Sequence, residues 1–151
     1  MLRLVLAAVL MAGFQGEEAV MSHATGTFDV KITPAEAAAG AGADAPGRMT
    51  LAKTFQGGIE GTGEGEMLAT MAPGGSGAYV ALERVTGSVD GHAGTFALVH
   101  RGVLDHGAQD LSITVVPGSG TGDLTGLTGV FNLTIEGGEH RYDLDYSLPH
   151  P

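Results

Sequence analysis

The chain has 151 residues, 26 glycines, no cysteine and a net charge of −10, and this length fits one domain that buries its own core. The lack of cysteine excludes disulfides, thiolate metal sites and a cysteine nucleophile. Only seven basic residues are present, and they are scattered along the chain, so we expect neither nucleic acid nor an anionic membrane as a partner.

The first 20 residues raise a separate question from the fold. We predict that residues 1–20 are a leader and that residues 21–151 form a single β-barrel domain. The apolar run that follows Arg3 is too short to span a bilayer as a helix. It is either a secretory signal peptide, which would export the protein, or an extension upstream of a start at Met21. Because no clean cleavage site follows, we favour the start at Met21 and a cytoplasmic protein.

Four strands are predicted in the first half of the chain, at residues 27–32, 48–59, 63–70 and 79–85. The first alternates strictly and places Phe28, Val30 and Ile32 on one face. Residues 34–47 are rich in Ala, Gly and Pro and predict a loop, while residues 73–77 predict a turn.

Four more strands are predicted in the second half, at residues 95–101, 111–116, 131–136 and 141–146, with a tight hairpin at Gly137-Gly138. Clean alternation of apolar and polar residues is typical of an antiparallel sheet with one buried and one wet face. Eight such strands need their edges paired, and closure of the sheet achieves this. We therefore predict an all-β fold, a closed antiparallel barrel of about eight strands; the alternative is a two-sheet sandwich.

The sequence also contains an internal repeat. Residues 86–96 match residues 121–131 in a frame of Thr-Gly, an apolar residue, two further glycines and a Phe. The repeat aligns His100 with Ile135, in a strand whose apolar residues predict the core-facing side. His100 is therefore expected to point into the barrel.

Several longer segments resemble a known family. Residues 53–55, 65–68, 79–87 and 112–122 carry the resemblance, which extends over residues 24–148. The chain resembles a bacterial domain-of-unknown-function family grouped with the allene oxide cyclase-like barrels. The resemblance implies an eight-stranded barrel with a central cavity and a tendency to form homo-oligomers. It implies no activity, since the active-site residues of plant allene oxide cyclases have no motif match here.

Glu83 and His100 are the candidate catalytic residues. Glu83 and Arg84 are adjacent on one strand and must point to opposite faces, but periodicity does not choose which of them faces inward. An inward Glu83 would have its pKa raised by desolvation and could act as a general acid or base. An inward His100 could move protons near neutral pH. The structural alternatives are a salt bridge for Glu83 and a hydrogen-bonded core histidine for His100.

The sequence leaves three functions open, of which we favour the first. The first is a small-molecule-binding barrel whose hydrophobic ligand contacts aromatic and aliphatic residues. The predicted lining consists of Tyr79, Phe96, Leu98, Leu111, Ile113, Phe131, Tyr142 and Tyr146. The second is a cofactor-independent isomerase or cyclase in which Glu83 and His100 handle protons, and the third is a structural domain with a filled barrel. We expect no metal, since the histidines lack ligand spacing, and no cofactor, since no phosphate-binding loop precedes a helix.

Overall fold

The computed structural model describes residues 20–149, so all of the predicted leader except Val20 lies outside the described residues. Eight antiparallel strands follow one another around a closed barrel, and β8 pairs with β1 to complete it. The strands are β1 Ser22–Pro34, β2 Gly47–Gly57, β3 Ile59–Ala72, β4 Ser76–Val89, β5 His92–Asp105, β6 Ala108–Val115, β7 Thr128–Glu136 and β8 Glu139–Ser147. The predicted barrel is confirmed, and the sandwich alternative is wrong.

All eight predicted strands are present, and most are longer than the alternation suggested. In β8, Tyr142, Leu144 and Tyr146 are buried while the residues between them are more exposed, as predicted. The predicted second strand ended at Ile59, but Ile59 begins β3. The reason is Gly57, whose φ of 106° lets the chain turn before Ile59.

The two copies of the repeat adopt different structures. The first copy forms the β4–β5 hairpin, whereas the second contains a short 3₁₀ helix, Gly122–Leu124, ahead of β7. The copies pack together, because the backbone N–H of Thr95 donates to Thr121 Oγ1 at 3.0 Å and that of Thr121 donates to the Thr95 carbonyl at 2.8 Å. His100 lies on the inner face, as the repeat predicted.

The two ends of the barrel differ. The start of β1, the end of β8 and the connection between β6 and β7 lie at one end, here called the packed end. There Ile59, Val89, Leu124 and Leu127 are fully buried. Here the core is continuous with the aromatic residues in the middle of the barrel. The β1–β2 loop and the turns at residues 73–75, 106–107 and 137–138 surround the other end, here called the mouth.

The outer face of β3, β4 and β5 leaves four large apolar side chains exposed. Leu68 lies opposite Val80, and Leu82 lies opposite Val99 in the strand register. Exposed apolar residues of this kind occur at association surfaces. Homo-oligomer formation stays a prediction.

Candidate functional site

The mouth leads into a cavity of about 390 Å³ inside the barrel. Its wall is mostly aliphatic, with three methionine side chains and a few polar groups. The lining consists of Phe28, Val30, Ile32, Met49, Leu51, Lys53, Met67, Ala69, Met71, Tyr79, Ala81, His100, Gln109, Leu111, Ile113, Leu133, Ile135 and His140. Ile32, Met71 and Ile135 are exposed and form the rim, so the cavity opens to solvent at the mouth. An apolar cavity with few polar groups is the usual form of a small-molecule site.

Three polar side chains meet at the floor of this cavity. The Glu83 carboxylate accepts a hydrogen bond from Lys53 Nζ at 2.8 Å and one from His100 Nε2 at 2.9 Å, both at Oε2. The Glu83 side chain is 0% exposed, and the side chains of Lys53 and His100 are each 6% exposed. Lys53 and His100 line the cavity, whereas Glu83 lies behind them. Glu83 therefore acts on the cavity only through its two neighbours.

The structure settles which side of β4 faces inward. Glu83 points into the barrel, and Arg84 lies on the outer face, where its Nη2 donates to Thr95 Oγ1 at 2.9 Å. Gly63, in the neighbouring strand β3, makes room for the carboxylate, because a Cβ at this position would overlap Glu83 Oε1. Oε1 has no hydrogen-bond donor among the described residues, so Glu83 makes both of its side-chain hydrogen bonds through Oε2.

Lys53 is a site residue that sequence reasoning missed. Its ammonium group lies 4.5 Å from the ring centroid of Phe28 and 5.7 Å from those of Phe55 and Phe131. Cation–π contacts of this kind contribute about 2 kcal/mol when they are desolvated. The signal was present in the sequence, since Leu51 and Phe55 are apolar residues an even number of positions apart and a strand's period of two places Lys53 on the same face.

The electrostatics of the floor differ from the expectation for an inward carboxyl. Burial alone would raise the pKa of Glu83, but the hydrogen bond from His100 and the positive charge of Lys53 outweigh it and lower that pKa below its ordinary value. Glu83 is therefore an anion and a poor general acid. As an anion it only accepts, so His100 donates from Nε2–H; in the neutral imidazole with this tautomer, the lone pair is on Nδ1. Nδ1 has no hydrogen-bond partner among the described residues.

A family model described as "Protein of unknown function (DUF3224)" matches residues 24–146. The chain belongs to this family. A crystal structure of a protein with unknown function from the DUF3224 family of Shewanella oneidensis MR-1 is similar to it. That protein is 42% identical in sequence, the match covers 87% of this chain and 100% of that chain, and the TM-score is 0.80. No curated protein matches the chain.

The cavity of this DUF3224 protein contains three of the eight predicted lining residues. Tyr79, Leu111 and Ile113 line it, while the other five do not. Those five are fully or almost fully buried and belong to the packed core: Phe96, Leu98, Phe131, Tyr142 and Tyr146. The physical reason is that alternation predicts which face of a strand is buried and says nothing of depth along the barrel axis.

The two tyrosines of β8 have structural partners instead. Tyr142 donates from its hydroxyl to the Gln56 carbonyl at 3.0 Å and accepts from the Ile59 N–H at 2.7 Å. Tyr146 donates to Asp90 Oδ2 at 2.7 Å, and burial together with this carboxylate raises the pKa of Tyr146 to about 12. Both hydroxyls hold turns at the packed end and are unavailable to a ligand in the mouth cavity.

A second polar cluster lies outside the barrel, where β8 closes onto β1. His23 Nδ1 is 3.3 Å from Asp143 Oδ1, and the register places His23 beside Asp145. Within residues 20–149 these are the residues whose ligand atoms lie close enough to hold a metal ion. His23 is exposed and lies 120 residues from Asp143 along the chain, so sequence spacing did not reveal the cluster. Exposed groups of this kind are common without an ion, and we assign them no binding role.

Within residues 20–149, no helix is long and apolar enough to cross a membrane.

Proposed function

We propose that this DUF3224 protein binds a small, mainly hydrophobic molecule in its mouth cavity. The observation that carries the proposal is the floor, where an ammonium donor and an imidazole acceptor lie side by side beneath an apolar wall. A few convergent polar groups in an otherwise apolar cavity orient a ligand and provide specificity. The polar end of the ligand would contact Lys53 and His100, and its hydrocarbon part would lie against the methionines and aliphatic residues above them.

The charges of the site favour a neutral oxygen at that polar end. Glu83 already neutralises Lys53, and the whole chain carries a net charge of −10, so an anionic ligand gains little attraction. A hydroxyl group can accept from Lys53 and donate to Nδ1 of His100, and a carbonyl oxygen can accept from Lys53. Alcohols, aldehydes and ketones with an alkyl chain are therefore the ligand class we infer.

Titration calorimetry with 1-octanol tests this proposal. We expect saturable one-site binding by the wild type. Ala69→Phe, which fills the cavity wall, should weaken the affinity at least about tenfold, or 1.4 kcal/mol. The control is Thr70→Phe, because Thr70 is exposed on the next position of the same strand and points outward. Absence of binding by the wild type, or equal binding by both variants, would contradict the proposal.

A cofactor-independent isomerase or cyclase is the second candidate, and the Glu83–His100 contact favours it. Glu83 orients the imidazole through Nε2, which leaves Nδ1 free to take a proton from a carbon beside a carbonyl group held by Lys53. The resemblance to allene oxide cyclase-like barrels supports the same idea at the level of architecture alone. In this mechanism His100 is the general base, and Glu83 is a positioning residue.

Deuterium exchange separates the two candidates. An isomerase should accelerate exchange of the protons beside the carbonyl of 2-octanone in D₂O, followed by NMR, and His100→Ala should abolish the acceleration. If the wild type binds 2-octanone and exchange stays at the uncatalysed rate, the protein is a binder and the isomerase is excluded.

A further inference from the structure

We propose that Lys53 binds aldehydes covalently, as a reversible imine, at the floor of the mouth cavity. This inference rests on the proposed function, because the aldehyde must first enter the cavity. It follows from the position of a lysine nitrogen against a carboxylate, inside an apolar cavity and beside an imidazole with a free ring nitrogen. Lysines buried in apolar surroundings form Schiff bases with carbonyl compounds.

The chain offers an internal contrast, because it contains only two lysines. Lys31 is exposed on the outer side of β1, whereas Lys53 is buried and lines the cavity. An alkyl aldehyde bound along the apolar wall places its carbonyl carbon at the floor, which raises the effective concentration of the carbonyl at Lys53 alone. Lys31 has no such wall to concentrate the aldehyde.

The reaction balances without any further reactant. The ammonium of Lys53 and the aldehyde give a protonated imine and one water. Of the three ammonium hydrogens, two leave with the carbonyl oxygen as water, and the third stays on the imine nitrogen. The carbon–oxygen double bond is replaced by a carbon–nitrogen double bond, and no atom is oxidised or reduced. His100 Nδ1 accepts one proton from the ammonium, and the resulting amine attacks the carbonyl carbon. The oxygen then takes a second proton from the Lys53 nitrogen, and the proton held by His100 completes the water that leaves.

Glu83 can pair with the Lys53 nitrogen both as the ammonium and as the protonated imine. The positive charge on the Lys53 nitrogen is the same before and after imine formation, and one N–H remains to donate to Oε2. The buried carboxylate therefore keeps its cationic partner throughout, and no uncompensated charge is created in the cavity. The rings of Phe28, Phe55 and Phe131 exclude water from one side of the nitrogen, which slows hydrolysis of the imine.

Reductive trapping tests the proposal. The full chain is incubated with octanal and sodium cyanoborohydride, and the adduct is located by intact mass and peptide mapping. We expect a single octyl group on Lys53, with labelling at least about tenfold above that of Lys31 and suppressed by excess 1-octanol. Lys31→Arg should keep the adduct and Lys53→Arg should lose it, while arginine still supplies a cation to Glu83.

The outcomes are distinguishable. If the wild type binds 1-octanol but the label falls on Lys31 or the terminal amine alone, the imine is excluded and the binding function stands. If neither 1-octanol binding nor label on Lys53 is observed, both proposals fail. The wild-type peptide map decides the matter even where Lys53→Arg folds poorly.

Discussion

The two ends of this barrel are made from the same eight strands and behave differently. At the packed end the β6–β7 connection folds inward, and its residues Leu124 and Leu127 are fully buried under the barrel. At the mouth the strands are joined by turns of two or three residues and one longer loop, and Ile32, Met71 and Ile135 remain exposed at the rim. A connection that enters the barrel fills it, whereas short turns leave it open.

The polar residues lie at the boundary between these two regions. Lys53 contacts the aromatic core below it through Phe55 and Phe131, and it lines the cavity above. Buried ion pairs contribute little net stability compared with apolar residues of the same size. We therefore infer, under the proposed function, that the cluster of Lys53, Glu83 and His100 serves the cavity and is not required by the core.

The largest effect is expected from removing the carboxylate. Glu83→Leu leaves Lys53 buried without an anion and His100 without its acceptor, which should lower the free energy of unfolding by about 3–5 kcal/mol. The double variant Lys53→Met/Glu83→Leu should recover most of that loss. Urea unfolding measures both. If the double variant is as unstable as the single one, the cluster is part of what holds the fold together.

The Lys53–Glu83 ion pair makes the free energy of unfolding depend on pH. Because the pKa of Glu83 is lowered in the folded protein, its contribution is complete above the ordinary value of 4.5. The contribution is lost as the pH falls from there through the lower folded pKa. The double variant should therefore lose less stability than the wild type on acidification below that value.

A smaller effect on the free energy of unfolding is expected from shortening a leucine side chain, and it should differ between the packed end and the mouth. Leu144 is fully buried, and Leu144→Ala should cost about 2–5 kcal/mol through the cavity it creates. Leu133, in the paired strand β7, is half-buried and lines the open cavity, so Leu133→Ala should cost less than about 2 kcal/mol. Equal losses in urea unfolding would mean that the mouth is as tightly packed as the other end.

The sequence predicted the barrel and the inner face of most strands, because a period of two is a strong signal in β1, β7 and β8. The repeat predicted that His100 points inward, and the alternation of β2 was sufficient to predict the same for Lys53. What the sequence could not predict is depth. Phe131 and Leu133 are two residues apart on the inner face of β7, yet Phe131 belongs to the packed core and Leu133 lines the cavity. The meeting of Glu83 with Lys53 depends on strand register, which is set by turns such as Gly57-Gly58.

The measurement that most directly tests ligand binding at the mouth is NMR of the protein labelled with ¹³C at its methionine methyl groups, titrated with 1-octanol. Met49, Met67 and Met71 line the cavity, whereas Met21 lies at the packed end, one residue before β1. We expect saturable shifts of Met49 and Met67, with Met21 unchanged. Unchanged signals from the three cavity methionines, or shifts confined to Met21, would contradict a binding site at the mouth.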